Sequence, residues 1–393
     1  MTKKAIVNCR LIDGTGGEVI ESGAILIDGD KITEVGPVKK ILIPSDAELI
    51  EAKGKTVMPG LIDAHMHVTS MPGLLDYKGH IEQNLLAVEK LHACLSWGTT
   101  TVANASGSPE NVILKNLINS GQVKRCSRLL VGAMVNATGG HVRGRSADGP
   151  WEIRKAVREM VMADVDFIKT SASGGFQWAH EQIWWEDYTV EELTALVDEA
   201  HAKGKRVHVH AHSQPGLNHS IHAGCDVILH GALIDEEALE GIAKKNLYYI
   251  PTLYITSNKV INRPSLPAHM KERKKKAHHI HREGVRKAHQ MGIKIGVGTD
   301  GGPGDVMLEL YELVQCGLSP LEAIVSATRN TADALGILES VGTLEPGKKA
   351  DLLIVEGNPL KDISLLSDKK NILLVMKEGK IEIVNEVYKN HFH

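Results

Sequence analysis

Short apolar runs alternate with amphipathic stretches through the central part of the chain. Eight of these runs are candidate strands, at residues 57–66, 99–103, 128–134, 167–171, 206–211, 227–229, 248–251 and 294–298. Between them, residues 81–96, 150–163, 190–203 and 236–245 have the apolar spacing of helices. The strands follow one another at roughly 30 residues, the size of a βα unit. The pattern therefore predicts a closed (β/α)8 TIM barrel.

The two ends of the chain have a different pattern, of short β segments separated by turn residues. Apolar runs occupy residues 5–9, 23–27, 31–35 and 49–51, and residues 373–377 and 381–384 flank a turn at Gly379. The simplest assembly pairs these segments with one another. We therefore expect an α/β protein in which residues 1–56 and 347–393 form a small β-sandwich domain, with a barrel of residues 57–346 inserted between them.

Composition narrows the class of protein. The net charge of −3 and the pI of about 6.7 argue against a general nucleic-acid-binding protein. The five cysteines show no CxxC spacing, which favours a reducing compartment over a disulfide framework. The sequence has no run of 18 apolar residues and no signal-peptide pattern. We expect a cytoplasmic protein that binds neither nucleic acid nor a membrane and forms a homo-oligomer.

A basic run at residues 271–276, KERKKK, is followed by four histidines, at positions 278, 279, 281 and 289. The run lies between the seventh and eighth strands in a stretch of helical texture. We interpret it as a solvated helix face, with metal or nucleic-acid binding as the alternative.

His65 and His67 stand at the end of the first central strand, in the sequence MPGLIDAHMHV. Residues two apart on a strand project to the same side. Two imidazoles on one face at a strand end form half of a divalent metal site. For this pair taken alone, two satisfied core histidines are the alternative.

Barrel enzymes carry their chemistry at the C-terminal ends of the strands, and other polar side chains stand at such ends here. They are Lys169 on the fourth strand, His208, His210 and His212 on the fifth, His230 on the sixth and Asp300 on the eighth. Nitrogen and oxygen ligands suit the divalent metals of hydrolases.

Lys169 is the unusual member, because an ammonium repels a cation. A lysine beside metal ions loses its proton readily, and the neutral amine can take up carbon dioxide as a carbamate. That anionic group can bridge two metal ions about 3.5–4 Å apart. A salt bridge from Lys169 to Asp166 or Asp300 is the alternative.

Together these motifs resemble the amidohydrolase superfamily of metal-dependent barrel hydrolases, in its binuclear subtype with a carboxylated lysine. The resemblance covers the whole chain and lies near bacterial prolidases and carboxypeptidases and near imidazolonepropionase. It implies one metal ion on His65, His67 and Asp300, a second on His210 and His230, and a bridging carbamate on Lys169. Zinc is the expected metal from the ligand types, although manganese or cobalt would fit.

The implied reaction is hydrolysis of a C–N amide bond by a metal-activated hydroxide. Asp300 is expected to accept the proton of the water and pass it to the leaving nitrogen. His141, in the Gly-rich segment TGGHVR after the third strand, is expected to stabilise the oxyanion; an ordinary loop residue is the alternative. The expected substrate is a small-molecule amide: an N-acyl amino acid, a dipeptide, or an aryl amide or carbamate.

Four residues are candidates for contacting the rest of the substrate. Arg143, like Arg145, would pair with a carboxylate or lie on the loop surface. Trp178 belongs to an aromatic segment that would cover the metals or pack on the barrel rim. Tyr254 follows the seventh strand. His212 stands where dipeptide-cleaving relatives usually have a tyrosine that contacts the substrate carboxylate, so this departure leaves aryl amides, carbamates and ureas open.

Three other functions are alternatives to metal-dependent amide hydrolysis. A mononuclear deaminase of the same superfamily needs no lysine on the fourth strand and generally carries a glutamate after the fifth, where this chain reads HAHS. A cyclic-amide hydrolase is a further alternative. A non-catalytic structural relative should have lost ligands, and none is missing from the sequence.

Overall fold

The computed structural model describes residues 3–69 and 77–391. Its strands are β1 Lys3–Leu11, β2 Ile20–Asp28, β3 Lys31–Pro37, β4 Glu48–Glu51, β5 Thr56–Pro59, β6 Leu61–Met66, β7 Thr99–Gly107, β8 Arg128–Asn136, β9 Arg145–Ser146, β10 Phe167–Ser171, β11 Val207–Ala211, β12 Val227–His230, β13 Tyr248–Ile250, β14 Lys294–Ile295, β15 Leu352–Val355, β16 Ile372–Lys377 and β17 Lys380–Val384. Its α-helices are α1 Tyr77–Ser96, α2 Pro109–Asn119, α3 Gly149–Met162, α4 Val190–His201, α5 Gly216–Ala223, α6 Glu236–Lys245, α7 Asn258–Ile261, α8 Ala268–Gln290, α9 Val306–Gln315, α10 Pro320–Val325 and α11 Thr331–Ala334.

Eight parallel strands form the central sheet, in the order β6-β7-β8-β10-β11-β12-β13-β14. The segment after β14 returns to β6, where Ala64 N donates to Val297 O at 3.0 Å and Asp300 N donates to His65 O at 2.7 Å. These hydrogen bonds close the sheet on itself. The expected barrel is confirmed, and its closure brings the first and eighth strand ends together.

The helices between the strands follow the apolar spacing of the sequence. In α4, Leu193, Leu196, Val197 and Ala200 are buried, at the spacing of one helical face. Thr189 caps its first turn, since the Thr189 side chain accepts from Glu192 N while the Glu192 side chain accepts from Thr189 N. Strands buried on both faces therefore alternate with amphipathic helices that cover them.

The terminal segments form a second, separate sheet of eight strands, in the order β17-β16-β15-β5-β1-β2-β3 with β4 also paired to β1. Most neighbours are antiparallel, while β1 runs parallel to β4 and β5. An apolar core that includes Ile6, Ile32, Leu352 and Leu374 lies within this sheet. Strands from both ends of the chain thus share one core, as the sequence predicts.

The single strand expected over residues 57–66 is wrong. Thr56–Pro59 pairs with β15 and β1 in the terminal sheet, while Leu61–Met66 pairs with β7 in the barrel. Gly60 joins them where a Cβ would lie 2.2 Å from the Thr100 Oγ1 atom. Both halves are apolar because both are buried, so hydrophobicity alone does not reveal the change of sheet.

The basic run at 271–276 lies in α8, as expected of helical texture, but it is not wholly a solvated face. Lys274 is only 6% exposed, and His281 further along the helix is fully buried. Lys275 and Lys276 do face solvent. In the described ranges, none of the helices combines the length and apolar character that crossing a bilayer requires.

Candidate metal centre and catalytic cavity

Side chains from five barrel strands converge at one end of the barrel. His65 belongs to β6, Lys169 to β10, His210 to β11 and His230 to β12, and Asp300 follows β14. The ring centroids of His65 and His230 are 4.8 Å apart, and those of His210 and His230 are 4.5 Å apart. The strand ends that the sequence singled out therefore meet at one mouth.

Asp300 lies between the two histidines of the first strand. Its Oδ1 is 3.0 Å from His67 Nε2 and 3.6 Å from His65 Nε2. Burial alone raises the pKa of Asp300, but the hydrogen bonds from His65 and His67 outweigh it and hold the pKa well below its usual range. Asp300 is thus a carboxylate, the form that can bind a cation or accept a proton.

Two sets of possible ligand atoms share His230. One comprises His65, His230 and Asp300, and the other comprises His210, His212 and His230; within each set these atoms lie within 4.8 Å of one another. His212, expected to contact substrate, therefore lies among the possible ligands. Its ring centroid is 4.6 Å from that of His210 and 4.8 Å from that of His230.

The backbone around these residues is held in uncommon conformations. His230 and Asp300 both have positive φ angles, of 73° and 50°. Non-glycine residues adopt this region at a cost, and such residues cluster at functional sites. Thr252, at φ 51°, places its Oγ1 2.7 Å from His230 Nδ1, which orients that ring.

Asp63 supports the junction between β6 and the segment that carries Asp300. Its carboxylate accepts hydrogen bonds from the backbone N–H groups of His65 and Thr299 and from the Thr299 hydroxyl. Gly298 allows the two segments to approach, because a Cβ there would lie 2.7 Å from His65 Cβ. This role of Asp63 could not be predicted from the sequence, although Asp63 and His65 are the polar residues of the otherwise apolar run 57–66.

Lys169 is 1% exposed and its Nζ donates to Thr170 O at 3.3 Å. In the part of the chain that the structure describes, no carboxylate lies within 4.0 Å of it, and Asp166 pairs instead with Lys115. The salt-bridge alternative for Lys169 is therefore wrong. Burial lowers the pKa of Lys169 to about 7, so a neutral amine is accessible near neutral pH.

The donor set fits divalent cations. Over residues 3–69 and 77–391, the buried imidazole nitrogens without a hydrogen-bond partner are His65 Nδ1, His210 Nε2, His212 Nδ1 and both nitrogens of His208, which lies on the same strand as His210. Native proteins rarely leave buried polar atoms unpaired unless a ligand or water satisfies them. Burial lowers the pKa of His65 to about 4 and holds those of His210, His212 and His230 well below the usual range. The rings are therefore neutral, as metal ligands must be.

His141 lies beside this cluster, with its ring stacked on His210 at a centroid distance of 4.1 Å. Its Nδ1 is 2.8 Å from the Glu181 carboxylate, and its backbone N–H donates to Asp187. His141 is 9% exposed, so the alternative of an ordinary exposed loop residue is wrong. Glu181 could not be predicted as the partner of His141, because that contact depends on how two separate loops fold.

A cavity of about 580 Å³ opens over the cluster. Its lining includes the metal-ligand candidates and, in addition, His141 and Lys274. An apolar part of the lining is formed by Met134, Val142, Phe176, Ile255 and Met270. This volume is typical of sites for small molecules.

Three of the four residues expected to contact the substrate do not line this cavity. Arg143 lies over the Trp178 ring, 5.1 Å from its centroid, and both line a neighbouring cavity. Trp178 Nε1 donates to His141 O at 3.2 Å, so it supports the loop that carries His141. Tyr254 is buried and accepts a hydrogen bond from Arg263. Of the four, His212 alone is among the described residues that line the central cavity.

Comparisons with known proteins agree with this geometry. The model of the amidohydrolase family matches residues 56–381. The chain is 28% identical to ochratoxinase from Aspergillus niger, covering 96% of this chain and 86% of that protein. It is 25% identical to imidazolonepropionase from Geobacillus kaustophilus, covering 94% of this chain and 91% of that protein.

Solved structures agree as well. The chain is similar to the crystal structure of an amidohydrolase, with 32% identity, a TM-score of 0.89 and coverage of 98% and 100% of the two chains. It is also similar to a Xaa-Pro dipeptidase with methionine bound in the active site, with 30% identity, a TM-score of 0.85 and coverage of 97% and 99%. The chain therefore belongs to the amidohydrolase family and is a hydrolase that acts on carbon–nitrogen bonds.

Proposed function

We propose that this protein is a binuclear metal-dependent hydrolase of small-molecule amides. The observation that carries the proposal is Lys169, a buried lysine without an acidic partner in the described chain, placed among neutral histidines and one carboxylate. A cation there would be costly to bury alone, whereas a carbamate would supply the negative charge that two metal ions need. Zinc is the proposed metal, from the nitrogen and oxygen ligands.

In this proposal His65, His67 and Asp300 would hold one ion and His210 and His230 the other, and a carbamate on Lys169 would supply anionic oxygen ligands to both. His212 is a further possible ligand beside His210. When bound, such ions lower the pKa of a water molecule and polarise a carbonyl. The site geometry supports the proposal because the candidate side chains share one cavity.

The residues of the chain then act on the proton and the substrate. Asp300 accepts a proton from the attacking water as the water oxygen bonds to the carbonyl carbon, and it returns that proton to the leaving nitrogen as the C–N bond breaks. With both ring nitrogens protonated, His141 donates Nδ1–H to the Glu181 carboxylate and Nε2–H to the developing oxyanion. The apolar wall of Met134, Phe176, Ile255 and Met270 binds the rest of the substrate and excludes water.

The substrate class is proposed from the cavity and from the relatives. A solved relative named Xaa-Pro dipeptidase holds methionine in its active site, which supports an N-acyl amino acid or dipeptide. Aryl amides and carbamates remain within the proposal because the wall is apolar. A role for Arg143, Trp178 or Tyr254 in substrate binding stays a prediction.

The proposal also covers the domain division, the cellular location and the oligomeric state. The chain divides into a barrel and a terminal β domain near the expected bounds of 57–346 and of 1–56 with 347–393, except that Thr56–Pro59 pairs within the terminal sheet and the first barrel strand begins at Leu61. It acts in the cytoplasm, as the cysteine usage suggests. It assembles as a homo-oligomer.

The test is a hydrolysis screen of the zinc-loaded protein with N-acyl amino acids, dipeptides, aryl amides, ureas and cyclic amides. We expect cleavage of at least one linear amide class, falling about 10²–10⁴-fold in Asp300→Asn. Cleavage of cyclic amides alone, or release of ammonia from an amino-substituted ring, would contradict the proposal and favour a cyclic-amide hydrolase or a deaminase.

A further inference from the structure

A lysine of the basic run stands in the wall of the catalytic cavity. Lys274 projects from α8 and lines the cavity together with His212 and Asp300. Its side chain is buried, and its Nζ donates to Ile255 O at 2.9 Å. No carboxylate within the described ranges comes within 4.0 Å of this Nζ. A buried ammonium without a counter-ion is rare in proteins.

The surroundings of Lys274 leave donors for a ligand. An ammonium has three N–H donors, and one of them is used by Ile255 O. The Phe176 ring also lies close, with its centroid 5.0 Å from Nζ. Burial lowers the pKa of Lys274 to about 8 while Asp300 acts to raise it, so the group is mainly charged at neutral pH.

The arginines that the sequence offered for this purpose are engaged elsewhere. Arg143 lies over Trp178 in the neighbouring cavity. Arg145 forms ion pairs with Glu152 and Glu159. Among the described residues, Lys274 and Lys169 are the lysines of the cavity lining, and the lining includes no arginine.

We propose that Lys274 binds a carboxylate of the substrate. Such a substrate is an amide in which one half carries a carboxylate close to an apolar side chain, because Phe176, Ile255 and Met270 surround Lys274 in the cavity wall. This inference rests on the proposed function, since it assigns one end of the substrate of that same site. A lysine binds as a point charge and does not require the fixed geometry of an arginine pair.

The test compares two ligands that differ in the carboxylate alone. L-methionine and L-methioninol share the amine and the side chain, and neither contains an amide bond. Calorimetric titration of the zinc-loaded wild type should show tighter binding of methionine by roughly 10- to 100-fold, the range of a charge-assisted hydrogen bond. Lys274→Met should remove this preference. Lys275→Met, one residue away and exposed, is the matched control and should retain it.

The result that overturns the proposal is a wild type that does not prefer methionine, or a Lys274→Met variant that still does. If Lys274→Met fails to fold, Lys274→Gln keeps a donor without the charge and should lose the preference equally. Hydrolysis of N-acetyl-L-methionine is measured in parallel. A carboxylate preference that depends on Lys274, without hydrolysis of any amide, would support the anion site and contradict the proposed function.

Discussion

At the scale of single residues, burial keeps four histidines of the site neutral, while Asp300 stays a carboxylate. His281 on α8 illustrates how a second layer supports the ligands. Its Nε2 lies 2.8 Å from His230 O and its Nδ1 lies 2.9 Å from Thr256 Oγ1. Since the carbonyl can only accept, Nε2 carries the proton and Nδ1 accepts from the hydroxyl. The neutral His281 ring therefore holds the backbone of His230, a candidate ligand, in place.

This arrangement predicts an acid-sensitive contribution to stability. Burial lowers the pKa of His281 to about 3, from an ordinary value of 6.5. The unfolded chain therefore binds the proton first, so stability present above pH 6.5 is lost as the pH falls towards 3. In the metal-free protein, His281→Gln should make the dependence of the unfolding free energy on pH shallower by about 1.2 kcal/mol between pH 6 and 5.

Denaturant unfolding at several pH values measures this slope. His279→Gln, at an exposed position two residues earlier, is the control and should leave the slope close to that of the wild type. An unchanged slope in His281→Gln would show that this ring titrates normally in the folded protein.

The metal-ligand candidates were accessible from the sequence because histidines at the ends of buried strands have few other interpretations. The buried position of Lys274 could not be predicted from the sequence, because a lysine inside the run KERKKK resembles a solvated charge. The signal was its helical spacing with buried residues, since Lys274, Ala277, His281 and Val285 lie on one face of α8. Arg143 and Tyr254 could not be placed because loop conformation depends on contacts between distant segments.

At the scale of elements, α8 holds the loop that follows β10. The Arg273 guanidinium donates to the carbonyl oxygens of Trp178, Ala179 and Glu181, at 2.8, 3.2 and 2.7 Å. The Glu181 side chain in turn contacts His141, so the Arg273 hydrogen bonds also support the position of His141. The helix that contributes Lys274 thus fixes the loop that orients the proposed oxyanion donor.

Arg273→Ala should loosen this loop without unfolding the barrel. Loss of these hydrogen bonds should cost about 2 kcal/mol locally, so amide exchange of residues 176–182 should accelerate by roughly 30-fold while the melting temperature changes little. Hydrogen-exchange mass spectrometry measures the effect. Lys276→Ala, whose ion pair with exposed Glu272 is confined to the helix, is the control. Equal exchange in both variants would mean that the loop is held by its own packing.

The eight barrel strands were predicted because parallel strands buried on both faces appear as regularly spaced apolar runs. The error over residues 57–66 has a physical cause, since a strand of the terminal sheet and a strand of the barrel are both buried and directly consecutive. Pro59 and Gly60 were the local signal for a break. The positions of strand ends, and hence of the ligands, did not depend on that error.

At the scale of the whole molecule, a buried ion-pair network joins the barrel to the terminal β segments. Arg128 begins β8 in the barrel and donates to Asp351 at 2.7 Å and to Glu378 at 2.9 Å, in the C-terminal segment. Asp351 is 4% exposed. An unpaired carboxylate at such a position is strongly destabilising.

Arg128→Met should therefore lower the free energy of unfolding by about 3–5 kcal/mol. The metal content of the folded fraction should stay unchanged, because Arg128 stands at the start of its strand and the ligand candidates stand at strand ends. Denaturant unfolding measures the loss. Arg10→Met, whose partner Glu21 is 70% exposed, should cost less than about 1 kcal/mol. Equal losses in the two variants would contradict the importance of the network.

The central claim concerns the whole barrel, since it requires five strand ends to bring a lysine, four histidines and an aspartate to one pair of cations. The most direct measurement is the number of metal ions bound per chain, by elemental analysis after loading with zinc and bicarbonate, in the wild type and in Lys169→Ala. We predict two ions in the wild type and a loss of at least one in the variant, together with a loss of hydrolysis. A Lys169→Ala protein that keeps two ions and full activity would contradict the account.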